Sequence, residues 1–321
     1  MNKIQLFCAV GFYSFMYYNI YINIYLNGEI VLFRYPGGKS KISDLICHKI
    51  ESVYVGNNCS ELMEPFFGSG AITLKLAKNN IIKRAWPNDK DKGIAEVWNA
   101  IYYQPEKLIE LIIDYKPNVE DFYKFKSELL DENYVTGIPY YKYKWDHFIE
   151  IAFKKIVIHQ ISYSGLGTKA GSPIGGKKQI DENNNPKKYQ IDCRWSPKNL
   201  SKNIRLANQY FHKLWMDYAP CTSYDYKVVL EWGWESSFLY LDPPYYDKGE
   251  QLYQKSFTHQ DHMDLCEILK TRYKYWLLSY DNNPTIRELY CWANIEEIPI
   301  RYTINNNLKQ CKELLISPHY D

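Results

Sequence analysis

Two short stretches most constrain this chain, because each runs into a turn that no strand can continue through. Ser60 to Met63 is stopped by Glu64-Pro65 and followed by Gly68-Ser69-Gly70, and Phe238 to Leu241 ends on Asp242-Pro243-Pro244. Proline lacks the N–H that a sheet ladder needs, and glycine opens backbone conformations closed to other residues. Both stretches therefore read as buried strands that deliver side chains to the end of a sheet. After the first turn, Ile72, Leu74, Leu76 and Ala77 predict a helix over Ala71–Lys78. A second strand ends at Pro87-Asn88-Asp89, Ile94, Val97, Trp98 and Ile101 follow at helical spacing, and Pro105 opens the next helix. Strand, turn and helix in repetition define an α/β sheet.

The interval between the two strands differs in kind. Phe122, Phe125 and Leu129, then Phe148, Ala152, Phe153 and Ile156, predict helices with no strands between them. A polar, Gly- and Asn-rich loop region runs from Ser162 to about Pro197. Beyond Asp242, Leu265, Ile268 and Leu269 mark a helix and Trp276-Leu277-Leu278 a strand. Ile300, Tyr302 and Ile304 alternate as one arm of a hairpin whose partner lies near Leu314-Leu315-Ile316. We read one α/β domain in two parts, 31–117 and 226–321, split by an insertion over 118–225.

Of the 321 residues, 46% are hydrophobic and 24% charged, which excludes a disordered chain. The net charge of +2 points to no strong electrostatic partner, so any such signal must lie in the distribution of charge. None of the eight cysteines forms a Cys-x-x-Cys pair and no Cys/His cluster has zinc-site spacing, so we expect reduced thiols, no metal and a cytoplasmic protein. Residues 1–30 stand apart. No charge occurs from Ile4 to Gly28, a length that could span a bilayer, yet Gln5, Asn19, Asn23 and Asn27 dilute it. The alternative is that translation begins near Val31.

Four short segments carry chemistry. Tyr35-Pro36-Gly37-Gly38-Lys39-Ser40 ends like a phosphate-binding loop, but that loop needs glycine five residues before Gly38, where Phe33 stands. What remains is a turn that presents a cation. Glu64-Pro65-Phe66-Phe67-Gly68-Ser69-Gly70 is a strand–turn–helix cradle into which a nucleotide-like ligand can come close to the backbone. Asp89, about twenty residues on, ends the second strand and can accept two ribose hydroxyls; alone it would be a helix cap. Asp242-Pro243-Pro244-Tyr245 sets a carboxylate beside a prolyl carbonyl, two acceptors for the two hydrogens of an amino group, with Tyr245 as a flat face for an aromatic ring.

In this order the segments resemble the Dam-type family of adenine-specific (N6) DNA methyltransferases, over about Leu32 to Ile316. The resemblance implies a Rossmann-like core that binds S-adenosylmethionine and an inserted, mainly helical domain that reads double-stranded DNA. It assigns the cofactor to Tyr35, Gly38, Lys39, Glu64, Phe66, Gly68, Gly70, Asp89 and Asp242, and the target adenine to Asp242, Pro243, Pro244 and Tyr245. In Ser162-Tyr163-Ser164-Gly165-Leu166 the family often shows an aromatic residue before a small polar residue and Gly-Leu, which makes Tyr163, with Ser164 beside it, the candidate plug for the vacated base stack. Residues 1–30 have no counterpart in the family.

The insertion carries a signal of its own. Between Gly167 and Lys213 the chain has ten Lys and Arg against three Asp and Glu, an excess of seven where the whole chain has +2. Lys177, Lys178, Lys187, Lys188 and Arg194 are the expected phosphate contacts. A solvated lysine-rich loop is the plainer explanation, and position within the insertion favours DNA. Competing readings are methylation of RNA or of a protein amide, and a DNA-binding relative without activity. A cognate restriction endonuclease is an expected partner, and the chain is expected to be monomeric.

Overall fold

A computed structural model describes residues 32, 34, 37–39, 42–136, 145–246, 257–304 and 307–320. Residues 1–30 and Tyr35 lie outside the described residues. The centre is a six-stranded sheet in the order β2-β1-β3-β4-β6-β5. Strands β1 (Leu62–Glu64), β2 (Ala85–Pro87), β3 (Phe238–Leu241) and β4 (Tyr275–Asp281) run parallel to one another. The hairpin of β5 (Asn294–Ile304) and β6 (Asn307–Ser317) joins antiparallel to β4.

The strands near the centre are buried on both faces, as a parallel sheet requires. Along β3 the period of two divides the side chains. Phe238 and Tyr240 enter one core with Leu62, Ala85 and Leu277, and Leu239 and Leu241 enter the other with Met63, Trp86, Trp276 and Leu278. Helices α1 (Ser43–Gly56), α2 (Ala71–Lys78), α3 (Lys92–Tyr103) and α4 (Pro105–Asp114) cover the first face. Helices α9 (Tyr226–Trp232), α10 (His259–Thr271) and α11 (Pro284–Leu289) cover the second.

The chain between the two halves of the sheet is helical, as expected. It forms α5 (Val119–Leu130), α6 (Glu132–Thr136), α7 (Trp145–Ile161) and α8 (Pro197–Phe211). Phe122, Phe125, Ile156, Leu200, Ile204 and Phe211 bury into the same core as the first face of the sheet. The polar loop between α7 and α8 folds on side-chain hydrogen bonds. Gln179 Nε2 donates to the carbonyls of Ile174 and Gly176, and Lys187 Nζ to that of Gly175. The same chain then returns along the sheet edge. Trp215 and Thr222 bridge in parallel to Arg84 and Asn88, either side of β2.

Helix ends follow local chemistry. Asp91 caps α3 by accepting from the N–H groups of Gly93 and Ile94, and Thr258 and Asp261 close a capping box on α10. Gly70 is irreplaceable on packing grounds. It has φ 65°, and a Cβ there would lie 2.8 Å from Phe67 and 2.9 Å from Trp98.

Candidate active site

Strands β1 and β3 lie side by side, and the chain leaves them in opposite directions along the sheet. The crevice at their carboxyl ends is the topological switch point, where open α/β sheets bind ligands. An open cleft enclosing about 940 Å³, its mouth included, occupies this place. Gly38, Lys39, Glu64, Phe66, Gly68, Asp89, Asp242 and Pro244 all line it. Pro243 and Tyr245 are buried beside it. Gly70 ends the turn that leads into α2. Segments far apart in sequence thus meet at one opening.

Lys39 and Asp242 form the polar centre. Lys39 Nζ lies 2.7 Å from Asp242 Oδ1 and also donates to the Tyr245 hydroxyl at 2.7 Å and to the Gly37 carbonyl at 3.0 Å. Ser279 Oγ donates to the same Oδ1 at 2.9 Å. Asp242 Oδ2 has no partner among the described residues, so it is available to a ligand. Burial pushes the Asp242 carboxyl above its ordinary range, while the neighbouring Lys39 ammonium pulls it down. Tyr245 passes its own hydroxyl hydrogen to Glu313 Oε1 at 3.0 Å.

The opposite wall carries two more carboxyl groups. Asp89 Oδ2 accepts from Gly68 N–H at 2.8 Å and Oδ1 from Asp91 N–H at 2.9 Å. Glu64 Oε2 accepts from the Thr73 hydroxyl. Burial pushes Asp89 up to about 7, with the Asp91 charge adding. Glu64 rises to about 8, again through burial, against the Thr73 hydrogen bond. Both folded values exceed the ordinary values of 3.8 and 4.5, so the folded chain binds more protons than the unfolded one from about pH 4 to 8. Their contribution to stability therefore falls as pH rises through that window. Denaturant unfolding at pH 5 and pH 8 should show a smaller fall for Glu64→Gln than for the wild type; an identical fall would mean Glu64 titrates normally.

Some of the lining comes from side chains that no motif marks. From sequence, Tyr245 is the flat face of the site. In the structure its ring packs near Tyr280 with centroids 6.3 Å apart, and Phe66, Tyr226 and Phe257 supply the aromatic lining. Those three rings form a cluster with centroids 4.9–5.6 Å apart. Nothing in the spacing of Tyr226 and Phe257 separates them from core aromatics. Ser279 sits inside the apolar strand β4 and Glu313 in the closing hairpin, and neither spacing marks a site.

Tyr163 and Ser164 are exposed on the loop that follows α7. Arg34 Nη1 donates to the Ser162 carbonyl at 3.4 Å, which stitches that loop to the segment leading to Lys39. Lys177, Lys178, Lys188 and Arg194 are exposed or partly so. Lys187 instead holds the Gly175 carbonyl. The cationic stretch is also narrower than its composition suggests, because Arg205 lies on α8 and pairs with Glu106 of α4. Among the described residues no group of three or more His, Cys, Asp or Glu is placed to hold a metal ion. No helix among them is long and apolar enough to cross a membrane.

At its switch point the sheet sets a glycine turn and an acidic strand end facing an Asp-Pro-Pro turn across one cleft. The family profile of D12 class N6 adenine-specific DNA methyltransferases matches residues 35–304, and the chain belongs to that family. The type II methyltransferase M.MjaIII of Methanocaldococcus jannaschii is 23% identical over 85% of this chain and 91% of its own length. The type II methyltransferase M1.LlaDCHI of Lactococcus lactis subsp. cremoris is 22% identical over 83% of this chain and 86% of its own length.

Proposed function

We propose that the chain methylates N6 of an adenine turned out of duplex DNA, using S-adenosylmethionine, with residues 118–225 reading the DNA and a cytoplasmic, monomeric protein acting beside a cognate nuclease. The observation that carries this reading is the placement of Asp242 and Lys39 across one cleft from Gly68 and Asp89. The cleft suits the cofactor. The Gly68–Gly70 turn lets a ligand approach the backbone, and Asp89 can exchange its present donors for two ribose hydroxyls. When bound, S-adenosylmethionine supplies an electrophilic methyl group on sulfur.

The residues do the rest. The adenine amino nitrogen is a poor nucleophile because its lone pair is delocalised into the ring. Hydrogen bonds from that amino group to Asp242 and to the Pro243 carbonyl localise the pair on nitrogen and aim it at the methyl group. Lys39 favours the ionised, accepting form of Asp242. Turning the base out costs a few kcal/mol. Base–aromatic stacking returns about 1–3 kcal/mol, so a plug in the vacated stack has a part to play, and exposed Tyr163 fills it.

Asp89→Ala should weaken cofactor binding by roughly 1.5–3 kcal/mol, the worth of hydrogen bonds to a charged acceptor. Calorimetry showing unchanged affinity would make Asp89 only a fastener for the turn.

The DNA side has a two-part test. Neutralising Lys177, Lys178 and Lys188 together should flatten the slope of log affinity against log salt by about 0.9 for each phosphate that is no longer neutralised. Tyr163→Ala should leave that slope unchanged and reduce the fluorescence rise of 2-aminopurine at the target position. A triple variant with the wild-type slope would place the DNA elsewhere.

A further inference from the structure

Helix α7 carries four buried polar side chains, Lys154, Lys155, His159 and Gln160, of which Lys155 and His159 lie one turn apart. The chemistry above uses neither. Lys155 is 2% exposed, and its Nζ lies 2.6 Å from Asp91 Oδ2. Its stem packs on Gly93, where a Cβ would meet Lys155 Cδ at 3.0 Å. Asp91 lines the cleft, caps α3, and gives its own N–H to Asp89. Lys155 therefore grips the rim of the cofactor wall.

His159 reaches the other way. Its Nδ1 donates to the Gly165 carbonyl at 3.0 Å, and the ring also bonds the Arg34 backbone. Gly167, at φ 58°, lies so close that a Cβ there would sit 2.7 Å from the ring. Gly165 and Gly167 belong to the loop that presents Tyr163, and Arg34 opens the segment leading to Lys39. The loop is held in an unusual conformation, with Ser164 at φ 55° beside Gly165 at φ 73°. A left-handed non-glycine residue is strained, so the loop has other arrangements within reach. Buried ammonium and imidazole groups are costly where an apolar side chain would fill the same space. Their placement on one helix face joins two regions that must act together.

We propose that Lys155 and His159 are positioning residues that tie the cofactor cleft to the Tyr163 loop, so that filling the cleft and holding DNA favour each other. This rests on the DNA-methylating function proposed above. A ligand whose hydroxyls donate to Asp89 must displace or realign the Asp91 N–H. Asp91 is partly open to the cleft, but Lys155 is buried and its ammonium is held by the Asp91 carboxylate, so a shift of Asp91 passes to α7 and through His159 to the loop. Such coupling is reciprocal by thermodynamic necessity.

The test measures binding of S-adenosylhomocysteine to the full chain, with and without a duplex containing the site that the wild type methylates. In the wild type, DNA should tighten this binding about tenfold, within the usual range of such couplings. Lys155→Met and His159→Phe should bring the ratio close to one, while affinity without DNA changes less than the ratio does. A merely structural role would lower both affinities together and keep the ratio, which would overturn the proposal. If Lys155→Met fails to fold, His159→Phe carries the same test, since its ring still covers Gly167. A wild type that methylates DNA with a ratio of one overturns the coupling alone. A wild type that methylates no DNA overturns the function as well.

Discussion

Replacing Asp242 with alanine should lower the rate of methyl transfer by about a hundred- to a thousandfold or more, the range seen when one preorganised electrostatic partner is removed from an active site. The side chain stands directly after β3, on a turn stiffened by two prolines, and its Oδ2 is available to a ligand. Its other oxygen is already held by Lys39 and Ser279. The variant therefore removes an acceptor that is fixed before the substrate arrives. Cofactor binding should suffer less than the rate, because the Gly68 turn and Asp89 are untouched. Asp242→Asn keeps the shape, replaces the charge by an amide, and should be nearly as slow. Single-turnover transfer from labelled cofactor measures both. A variant that methylates near the wild-type rate would remove Asp242 from the chemistry.

Lys39→Met should have the second large effect, on stability and on pH dependence together. Lys39 is buried and donates to Asp242, to the Tyr245 hydroxyl and to the Gly37 carbonyl. Methionine fills a similar volume but leaves the Asp242 carboxylate buried without its cation. Breaking a buried pair from one side costs roughly 3–5 kcal/mol. The sign of the pH effect follows from the same interaction. Burial already pushes Asp242 up and Lys39 opposes that, so losing Lys39 raises it further. The acid limb of the rate profile should then move to higher pH, and the stability deficit should shrink as Asp242 is protonated at low pH. A variant with wild-type stability and an unmoved acid limb would show that Lys39 does not set the charge of Asp242.

The fold was legible wherever a local rule decided the outcome. Helix Ala71–Lys78 has the expected bounds, β3 ends at Asp242, and the closing hairpin forms near the expected residues. These places are marked by glycine, proline and apolar period, which act over a few residues. Helix α8 is also written in the spacing of Leu200, Ile204, Ala207 and Phe211, but its lysines make the segment read as a charged stretch instead. The candidate site was legible at its turns and obscure at its walls. Lys39 bonds Tyr245 across 206 residues, a meeting that only the sheet order produces. Phe257, Tyr226, Lys155 and His159 sit at helical or loop positions where core packing explains them equally well. The role of Tyr245 shows the limit of motif reading, since the motif names the residue while packing sets where its ring lies.

The most direct measurement of the central claim is the chemical fate of the methyl group. Purified protein is given S-adenosylmethionine with a labelled methyl group, together with duplex DNA, RNA and protein in separate reactions, and Asp242→Ala serves as the control. The DNA is then digested to nucleosides and separated by mass. The proposed function predicts label in N6-methyl-deoxyadenosine from duplex DNA, and initial incorporation about a hundredfold or more slower with Asp242→Ala. Label in RNA, in protein or in a methylated cytosine, or no transfer to DNA at all, would contradict it.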